Sequence, residues 1–126
     1  MDNYCLFCSQ GNIEIIDEDE FCYTINDSYP VQDGHTLIIT KRHISSFFEC
    51  TESEIKSIFS LIGIAKLRLN QLMKPDGYNI GINIGKYAGQ TINHVHIHLI
   101  PRYKNDVADP KGGIRNLMPN KVAYPE

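Results

Sequence analysis

Residues 94–102 read HVHIHLIPR, so that histidine alternates with aliphatic side chains along the segment. Since successive side chains of a β-strand point to opposite faces, the alternation predicts a strand over residues 93–100 that is stopped by Pro101. One face of this strand carries three imidazoles, with neighbours about 7 Å apart. These belong to His94, His96 and His98. The opposite face is aliphatic and is predicted to be buried: Val95, Ile97 and Leu99.

The shared face of three histidines indicates a functional site. Burying three imidazoles together costs desolvation energy unless each finds a partner, which argues against a purely structural role. Two interpretations stay open at this point. Histidines at alternate strand positions can converge on a zinc ion. Alternatively, one neutral imidazole acts as a nucleophile near pH 7, and its neighbours orient it and protonate a departing oxygen.

Four more strands are predicted from segments rich in apolar, aromatic and β-branched residues. Residues 13–16 and 21–25 predict a hairpin, and the acidic residues 17–20 between them are interpreted as its solvated turn. Turn-forming residues at 26–34 lead into a third strand at 35–40. The fourth strand covers 78–84, and a glycine-containing loop at 85–91 follows it.

One long helix is predicted between the third and fourth strands. Thr51 and Glu54 have the spacing of a capping box, and residues 74–77 end the helix. The residues of its stripe recur at three- and four-residue spacing: Ile55, Ile58, Phe59, Ile62, Ala65 or Lys66, Leu69 and Leu72. This stripe must cover another element, and the sheet is available. The predicted fold is α+β, with a mostly antiparallel five-stranded sheet and one long helix on one face.

Composition narrows the class of protein. The 126 residues predict a single domain, divided into an N-terminal Cys-x-x-Cys segment (1–11), a core (12–103) and a tail (104–126). A net charge of -3 argues against a protein that binds nucleic acids in general or the surface of anionic membranes, because such proteins normally carry a basic face. No signal peptide or membrane span is recognisable, so a cytoplasmic location is expected. In a reducing compartment the four cysteines are expected to be thiols or metal ligands.

Three further motifs accompany the histidine run: PVQDGHTLII at 30–39, KRH at 41–43 and GQT at 89–91. Together with HVHIHLI at 94–100, which fits the pattern His-φ-His-φ-His-φ-φ with φ apolar, these segments resemble the histidine-triad family. The segment DPKGGIR at 109–115 is similar to a tail found in some microbial members of that family. The resemblance extends from about residue 4 to the end of the chain.

The resemblance implies a nucleotide hydrolase or nucleotidyl transferase that releases a nucleoside monophosphate. In this family the middle histidine, here His96, forms a covalent nucleotidyl intermediate, and His98 and His35 complete the polar set around it. Asp27 lies at the family position that holds the ribose hydroxyls. Phosphate contacts are expected from Asn83, Gly89, Gln90, Thr91 and His98. Dinucleoside polyphosphates and nucleoside phosphoramidates are the expected substrates, and no catalytic cofactor is required.

Cys5 and Cys8 form a Cys-x-x-Cys pair that alone could be redox-active, metal-binding or incidental. A structural zinc needs four ligands, and His43 and His94 are candidates for the other two. The resemblance implies this zinc site, with Cys5, Cys8, His43 and His94 as its ligands. It also implies a homodimer that pairs through the long helix and a strand. Cys22 is interpreted as core packing.

Two alternatives to a metal-independent enzyme stay open. The first is a non-catalytic protein that binds or senses purine nucleotides. The second is a hydrolase whose three histidines hold a catalytic metal, which predicts that chelation abolishes activity.

Overall fold

The computed structural model describes residues 5–9 and 13–118. The strands and the helix are β1 (Asp17–Glu18), β2 (Cys22–Asn26), β3 (Thr36–Thr40), α1 (Glu52–Leu72), β4 (Gly77–Ile82) and β5 (His96–Arg102). The sheet has the order β1-β2-β3-β5-β4, and each neighbouring pair is antiparallel. The predicted fold class is therefore confirmed. Parts of the predicted N-terminal segment and tail, residues 1–4, 10–12 and 119–126, lie outside the described residues.

The first hairpin lies later in the chain than predicted. Asp17 and Glu18, assigned to a turn from the sequence, pair with β2, whereas residues 13–16 are not a strand. Asp19 makes the turn, because its Oδ1 accepts hydrogen bonds from the backbone N–H groups of Phe21 (2.9 Å) and Cys22 (3.0 Å). The acidic run is therefore partly structural. Ile13 and Ile15 of segment 13–16 pack elsewhere, on the histidine-bearing face of the sheet.

Strand β5 begins at His96 and continues through Pro101 to Arg102, so both predicted ends were wrong. The N–H of Val95 donates to the carbonyl of Ile44 (2.8 Å), a contact outside the sheet ladder that keeps His94 out of the strand. At Pro101 the strand has a neighbour on one side only, because β3 pairs no further than Leu99. A missing N–H is tolerated at such a position.

Helix α1 begins with the predicted capping box, in which Thr51 and Glu54 each accept a hydrogen bond from the other's backbone N–H. Its buried apolar residues are Ile58, Leu61, Ala65 and Leu69. Ile55 and Phe59, predicted to be buried, lie on an outer face, where Phe59 is 79% exposed. The helix carries apolar residues on two sides, and only contact with the sheet decides which side is buried.

Different elements pack on the two faces of the sheet. The helix covers Ile38, Ile97 and Leu99, and Cys22 lies in the same cluster, as predicted. The opposite face has a smaller cluster that includes Tyr23, Ile25, Leu37 and Ile39, and Phe7 from the N-terminal segment packs over it. None of the helices in the described part of the chain is long and apolar enough to cross a membrane.

Candidate active site and metal centre

His96 and His98 lie on the face of β5 that points away from helix α1, and both line a cavity of about 700 Å³. His96 is 9% exposed, and its Nδ1 lies 2.7 Å from the backbone carbonyl of His94. Since a carbonyl only accepts, Nδ1 must carry the proton and donate it. The lone pair of the neutral ring is then at Nε2. This is the protonation state that a nucleophilic imidazole requires.

A second chain of hydrogen bonds fixes the proton of His98. The backbone N–H of Val31 donates to His35 Nδ1 (3.2 Å), so the proton of neutral His35 is at Nε2. That Nε2 lies 2.9 Å from His98 Nδ1, which must therefore accept. His98 is left with its proton on Nε2. The two histidines of β5 thus have opposite tautomers, one with a free lone pair and one with a free N–H.

The surroundings favour neutral imidazoles at His35 and His98. Burial lowers the pKa of His98, and the neighbouring His96 and His35 lower it further. Burial also lowers the pKa of His35, against the opposing effect of the Asp27 carboxylate. Asp27 Oδ2 lies 3.4 Å from His35 Nε2, and its Oδ1 accepts from the N–H of Tyr29 (2.8 Å). Asp27 therefore both shapes the turn and faces the histidines.

The lining of the cavity divides into two kinds of residue. The polar part brings together most of the nucleotide-binding residues predicted from the sequence: Asp27, Asn83, Gly89, Thr91 and His98. The apolar part includes Leu6, Phe7, Ile13, Ile25, Leu37 and Ile92. A cavity with an apolar wall and a few convergent polar groups is typical of a small-molecule site. His35 is not in this lining and lies behind His98.

Gln90 is placed differently from the other predicted phosphate contacts. Its Oε1 accepts from the N–H of Gly85 (2.9 Å), and its Nε2 donates to the carbonyls of Ser45 (2.7 Å) and Ile92 (3.1 Å). The side chain holds the loop at 85–91 together and does not line the cavity. Gly89 and Thr91, on either side of it, do.

The four predicted zinc ligands converge, with one ligand atom each within 4.8 Å of the others. His94 Nδ1 lies 3.3 Å from Cys5 Sγ, 3.5 Å from Cys8 Sγ and 3.2 Å from His43 Nδ1, and Cys8 Sγ lies 3.2 Å from His43 Nδ1. Tetrahedral zinc, with bonds of about 2.0 Å to nitrogen and 2.3 Å to sulfur, separates its ligand atoms by roughly 3.3 to 3.8 Å. The donor set therefore fits zinc in both chemistry and spacing.

The orientation of the fully buried His94 ring also suits a metal ligand. Its Nε2 lies 2.6 Å from the backbone carbonyl of Thr40, to which it donates, so Nδ1 presents a lone pair to the cysteines. Metal-binding histidines commonly donate the N–H of the ring nitrogen that does not bind the metal to a carbonyl or carboxylate, which fixes the orientation of the ring. Burial lowers the pKa of His94, which keeps the ring unprotonated. Burial and contact with Cys5 raise the pKa of the Cys8 thiol.

The three histidines of the run do not converge on one point. The His94 ring faces the cysteines, and His96 Nδ1 is bonded to a carbonyl. A second group with ligand atoms within 4.8 Å consists of Asp27, His35 and His98. Its nitrogen pair at 2.9 Å is a hydrogen bond. The arrangement disfavours a catalytic metal held by the triad.

Sequence reasoning missed several residues that shape the site. Leu6 and Phe7 occupy the two x positions of the Cys-x-x-Cys pair, and two apolar residues in so short a turn are a signal that the turn packs against another part of the protein. Arg42, in the KRH segment, forms a bidentate pair with Glu54 that the sequence does not predict. This pair ties the segment that carries His43 to the start of helix α1.

Known proteins are similar to this chain in sequence and in fold. A model of the HIT domain matches residues 10–105. The chain is 39% identical over 119 residues to an uncharacterised HIT-like protein of Methanocaldococcus jannaschii, covering 90% of this chain and 91% of that protein. It is 36% identical over 118 residues to the adenosine 5'-monophosphoramidase of Saccharomyces cerevisiae, covering 90% and 69%. A Zn-bound histidine triad family protein of Mycobacterium smegmatis matches with a TM-score of 0.74 at 32% identity, covering 83% and 79%. The chain therefore belongs to the HIT family.

Proposed function

We propose that this protein is a nucleotide hydrolase or nucleotidyl transferase that acts through a covalent nucleotidyl-His96 intermediate. One observation carries the proposal: His96 donates its Nδ1 proton to a backbone carbonyl, so the Nε2 lone pair of a cavity-lining imidazole is available for attack. The similarity to a yeast adenosine 5'-monophosphoramidase supports a substrate with a phosphoramidate or phosphoanhydride bond.

In the first step His96 Nε2 forms a bond to the α-phosphorus as the bond to the leaving nitrogen or oxygen breaks. The leaving atom takes the electron pair of that bond and accepts a hydrogen bond from the Nε2–H of His98. A leaving nitrogen takes its proton from water, whereas a polyphosphate leaves as an anion. The His96 ring becomes cationic once it is bonded to phosphorus, and the anionic phosphoryl oxygens beside it offset this charge. Water then attacks the phosphorus and releases a proton to the solvent, the electron pair of the P–N bond returns to His96 Nε2, and the nucleoside monophosphate leaves.

The remaining predicted residues have binding or positioning roles in this proposal. The Asp27 carboxylate accepts hydrogen bonds from the ribose hydroxyls. Asn83, Thr91 and the backbone of Gly89 bind the phosphates, and the apolar wall takes the purine base. His35 positions His98 through their hydrogen bond. A phosphate contact by Gln90 stays a prediction. In this structure its carboxamide instead makes hydrogen bonds to Gly85, Ser45 and Ile92.

The test is intact-protein mass spectrometry after brief incubation with adenosine phosphoramidate or diadenosine tetraphosphate. Wild type should show an adenylyl adduct and release AMP, whereas His96→Ala should do neither. Asn93→Ala, a change at an exposed residue outside the cavity lining, is the matched control and should behave as wild type. Equal AMP release by His96→Ala would refute the role of His96. Nucleotide binding without adduct or AMP would instead support the non-catalytic binding or sensing protein.

We further propose that Cys5, Cys8, His43 and His94 hold a structural zinc ion. The spacing of their ligand atoms and the Zn-bound state of the Mycobacterium smegmatis relative support this site. The zinc would cross-link the N-terminal segment to the sheet. Metal analysis should find one zinc per chain, lost in Cys8→Ser. Free metal ions should be unnecessary for turnover, whereas a catalytic metal at the triad would make turnover depend on them.

A homodimer and a cytoplasmic location complete the proposal. Apolar side chains are exposed on the outer side of helix α1 and on the edge strand β4, among them Phe59, Leu67 and Ile80. A second copy of the chain would cover them and extend the sheet. Light scattering should give the mass of a dimer, and Phe59→Glu should give a monomer.

Thiol ligands and a nucleotide substrate favour the cytoplasm. The division into one domain with a terminal segment and a tail stays a prediction.

A further inference from the structure

The turn that carries two of the zinc ligands, residues 5–8, is also part of the wall of the nucleotide cavity; we call it the zinc loop. We propose that zinc bound by Cys5, Cys8, His43 and His94 increases the affinity of the protein for nucleotides. The inference rests on the proposed nucleotide and zinc sites and adds a thermodynamic link between them.

The inner surface of the zinc loop faces the nucleophile. Leu6 and Phe7 line the same cavity as His96 and His98. Phe7 is 3% exposed, and its ring meets His96 edge-on at a centroid distance of 5.1 Å. The same ring lies 5.9 Å from the ring of His94, perpendicular to it. One aromatic side chain therefore touches both the nucleophile and a zinc ligand.

Polar contacts of two kinds hold the zinc loop against the sheet. The metal ligands make the first kind: Cys5 Sγ meets His94 Nδ1 at 3.3 Å, and Cys8 Sγ meets His43 Nδ1 at 3.2 Å and His94 Nδ1 at 3.5 Å. In the second kind, the Tyr23 hydroxyl donates to the Phe7 carbonyl (2.5 Å). Thiols are weak hydrogen-bond donors, whereas Zn–S and Zn–N bonds are short and directed. Zinc therefore strengthens the attachments that the two cysteines give to the cavity wall.

A second link between the two sites runs through His94. Its ring is a zinc ligand, and its backbone carbonyl accepts the Nδ1 proton of His96. Fixing the ring with zinc also restrains the carbonyl that sets the tautomer of the nucleophile. The coupling free energy between two binding sites is reciprocal. Bound nucleotide must therefore increase the affinity for zinc by the same factor by which bound zinc increases the affinity for nucleotide.

The first measurement uses AMP as the probe and isothermal titration calorimetry as the readout. We expect AMP to bind at least about fivefold more weakly to chelator-stripped protein than to zinc-loaded protein, the lower end of usual coupling between sites. Circular dichroism shows whether the stripped protein is folded. Zinc affinity, measured by competition with a chromophoric chelator, should rise by the same factor when AMP is saturating.

Two variants separate coupling through the cavity wall from coupling through global unfolding. Leu6→Ala alters the zinc loop at a residue that is 43% exposed and retains all four ligands. Ile13→Ala alters the same cavity outside the loop. Both should weaken AMP binding, but only Leu6→Ala should reduce the effect of AMP on zinc affinity. AMP is set at the same multiple of its Kd for each variant, so that saturation is equal.

The outcomes are distinct. Equal AMP affinity of folded zinc-loaded and folded stripped protein would overturn the inference and leave the proposed function intact. An undiminished coupling factor in folded Leu6→Ala would overturn the link through the Leu6 side chain of the cavity wall and support the link through the His94 carbonyl. Failure of zinc-loaded wild type to bind AMP at all would refute the proposed nucleotide site, and this inference with it.

Discussion

His35 provides a quantitative test of the hydrogen-bond chain behind the active site. His35→Ala removes the Nε2–H that donates to His98 Nδ1 at 2.9 Å and leaves the His98 ring in place. A neutral hydrogen bond contributes about 0.5 to 1.5 kcal/mol, which converts to a loss of roughly 2- to 13-fold in the population of the productive tautomer. His98→Ala removes the proposed hydrogen-bond donor to the leaving atom and should cost about 10²- to 10³-fold.

The assay is steady-state hydrolysis of adenosine phosphoramidate by wild type, both single variants and the double variant. Because His35 does not line the nucleotide cavity, we expect its replacement to lower kcat and leave KM nearly unchanged. If His35 acts only through His98, the double variant should be no slower than His98→Ala alone. Nitrogen-15 shifts of the His98 ring report the tautomer directly, and thermal unfolding monitors stability.

Two results would refute this reasoning. Losses that multiply in the double variant would show that His35 acts independently of His98. A loss in His35→Ala as large as that in His98→Ala would show that it does more than position a tautomer. His35→Gln, whose carboxamide can donate in place of the imidazole, should recover part of the lost rate if the hydrogen bond is what matters.

Gly34→Ala should lower the free energy of unfolding by about 2 kcal/mol or more, because φ is +88° and an added Cβ would lie 2.9 Å from two side chains; urea denaturation measures it. Glu54, whose pKa is lowered by Arg42, contributes stability that is present above its ordinary pKa and is lost as the pH falls. The difference between the urea midpoints of wild type and Glu54→Gln should therefore be largest at pH 7 and shrink as the pH falls through the lowered pKa of Glu54, whereas a difference that does not change with pH would contradict the ion pair. Native Cys22 should resist iodoacetamide at pH 8, since burial raises its pKa to about 11; peptide mapping locates the labelled thiols. Zinc affinity should fall from pH 8 to pH 6, because the raised pKa of Cys8 means that binding must displace a proton; chelator competition at each pH measures this.

The histidine strand shows what sequence pattern can and cannot predict. Alternation correctly placed His96 and His98 on one face and Ile97 and Leu99 on the other, because the two-residue period is a property of extended backbone. The same alternation wrongly included His94. Where the strand begins depends on a hydrogen bond from Val95 to a carbonyl 51 positions earlier in the chain, at Ile44.

The helix and the metal site each have one feature that the sequence predicts and another that only the folded chain determines. The capping box at Thr51 was predicted because it is local, whereas the buried side of α1 was not, since both Ile58 and Phe59 belong to apolar stripes and only the sheet distinguishes them. Cys5 and His94 are separated by 89 residues in the chain. Family resemblance named them as ligands together, and only the folded chain brings them together.

The strand order has a consequence for how the chain folds during synthesis. Strand β5 lies between β3 and β4, so Thr36 pairs with Leu99, while β4 has β5 as its partner in the sheet. During synthesis, β4 leaves the ribosome before the strand that joins it to the rest. A nascent chain can form the β2–β3 pair early, but it cannot close the sheet until Arg102 has emerged. Such long-range pairing slows folding. The strand that bears His96 and His98 is thus the one that completes the sheet, and a chain truncated before it would lack both the candidate site and the strand that joins β4 to β3.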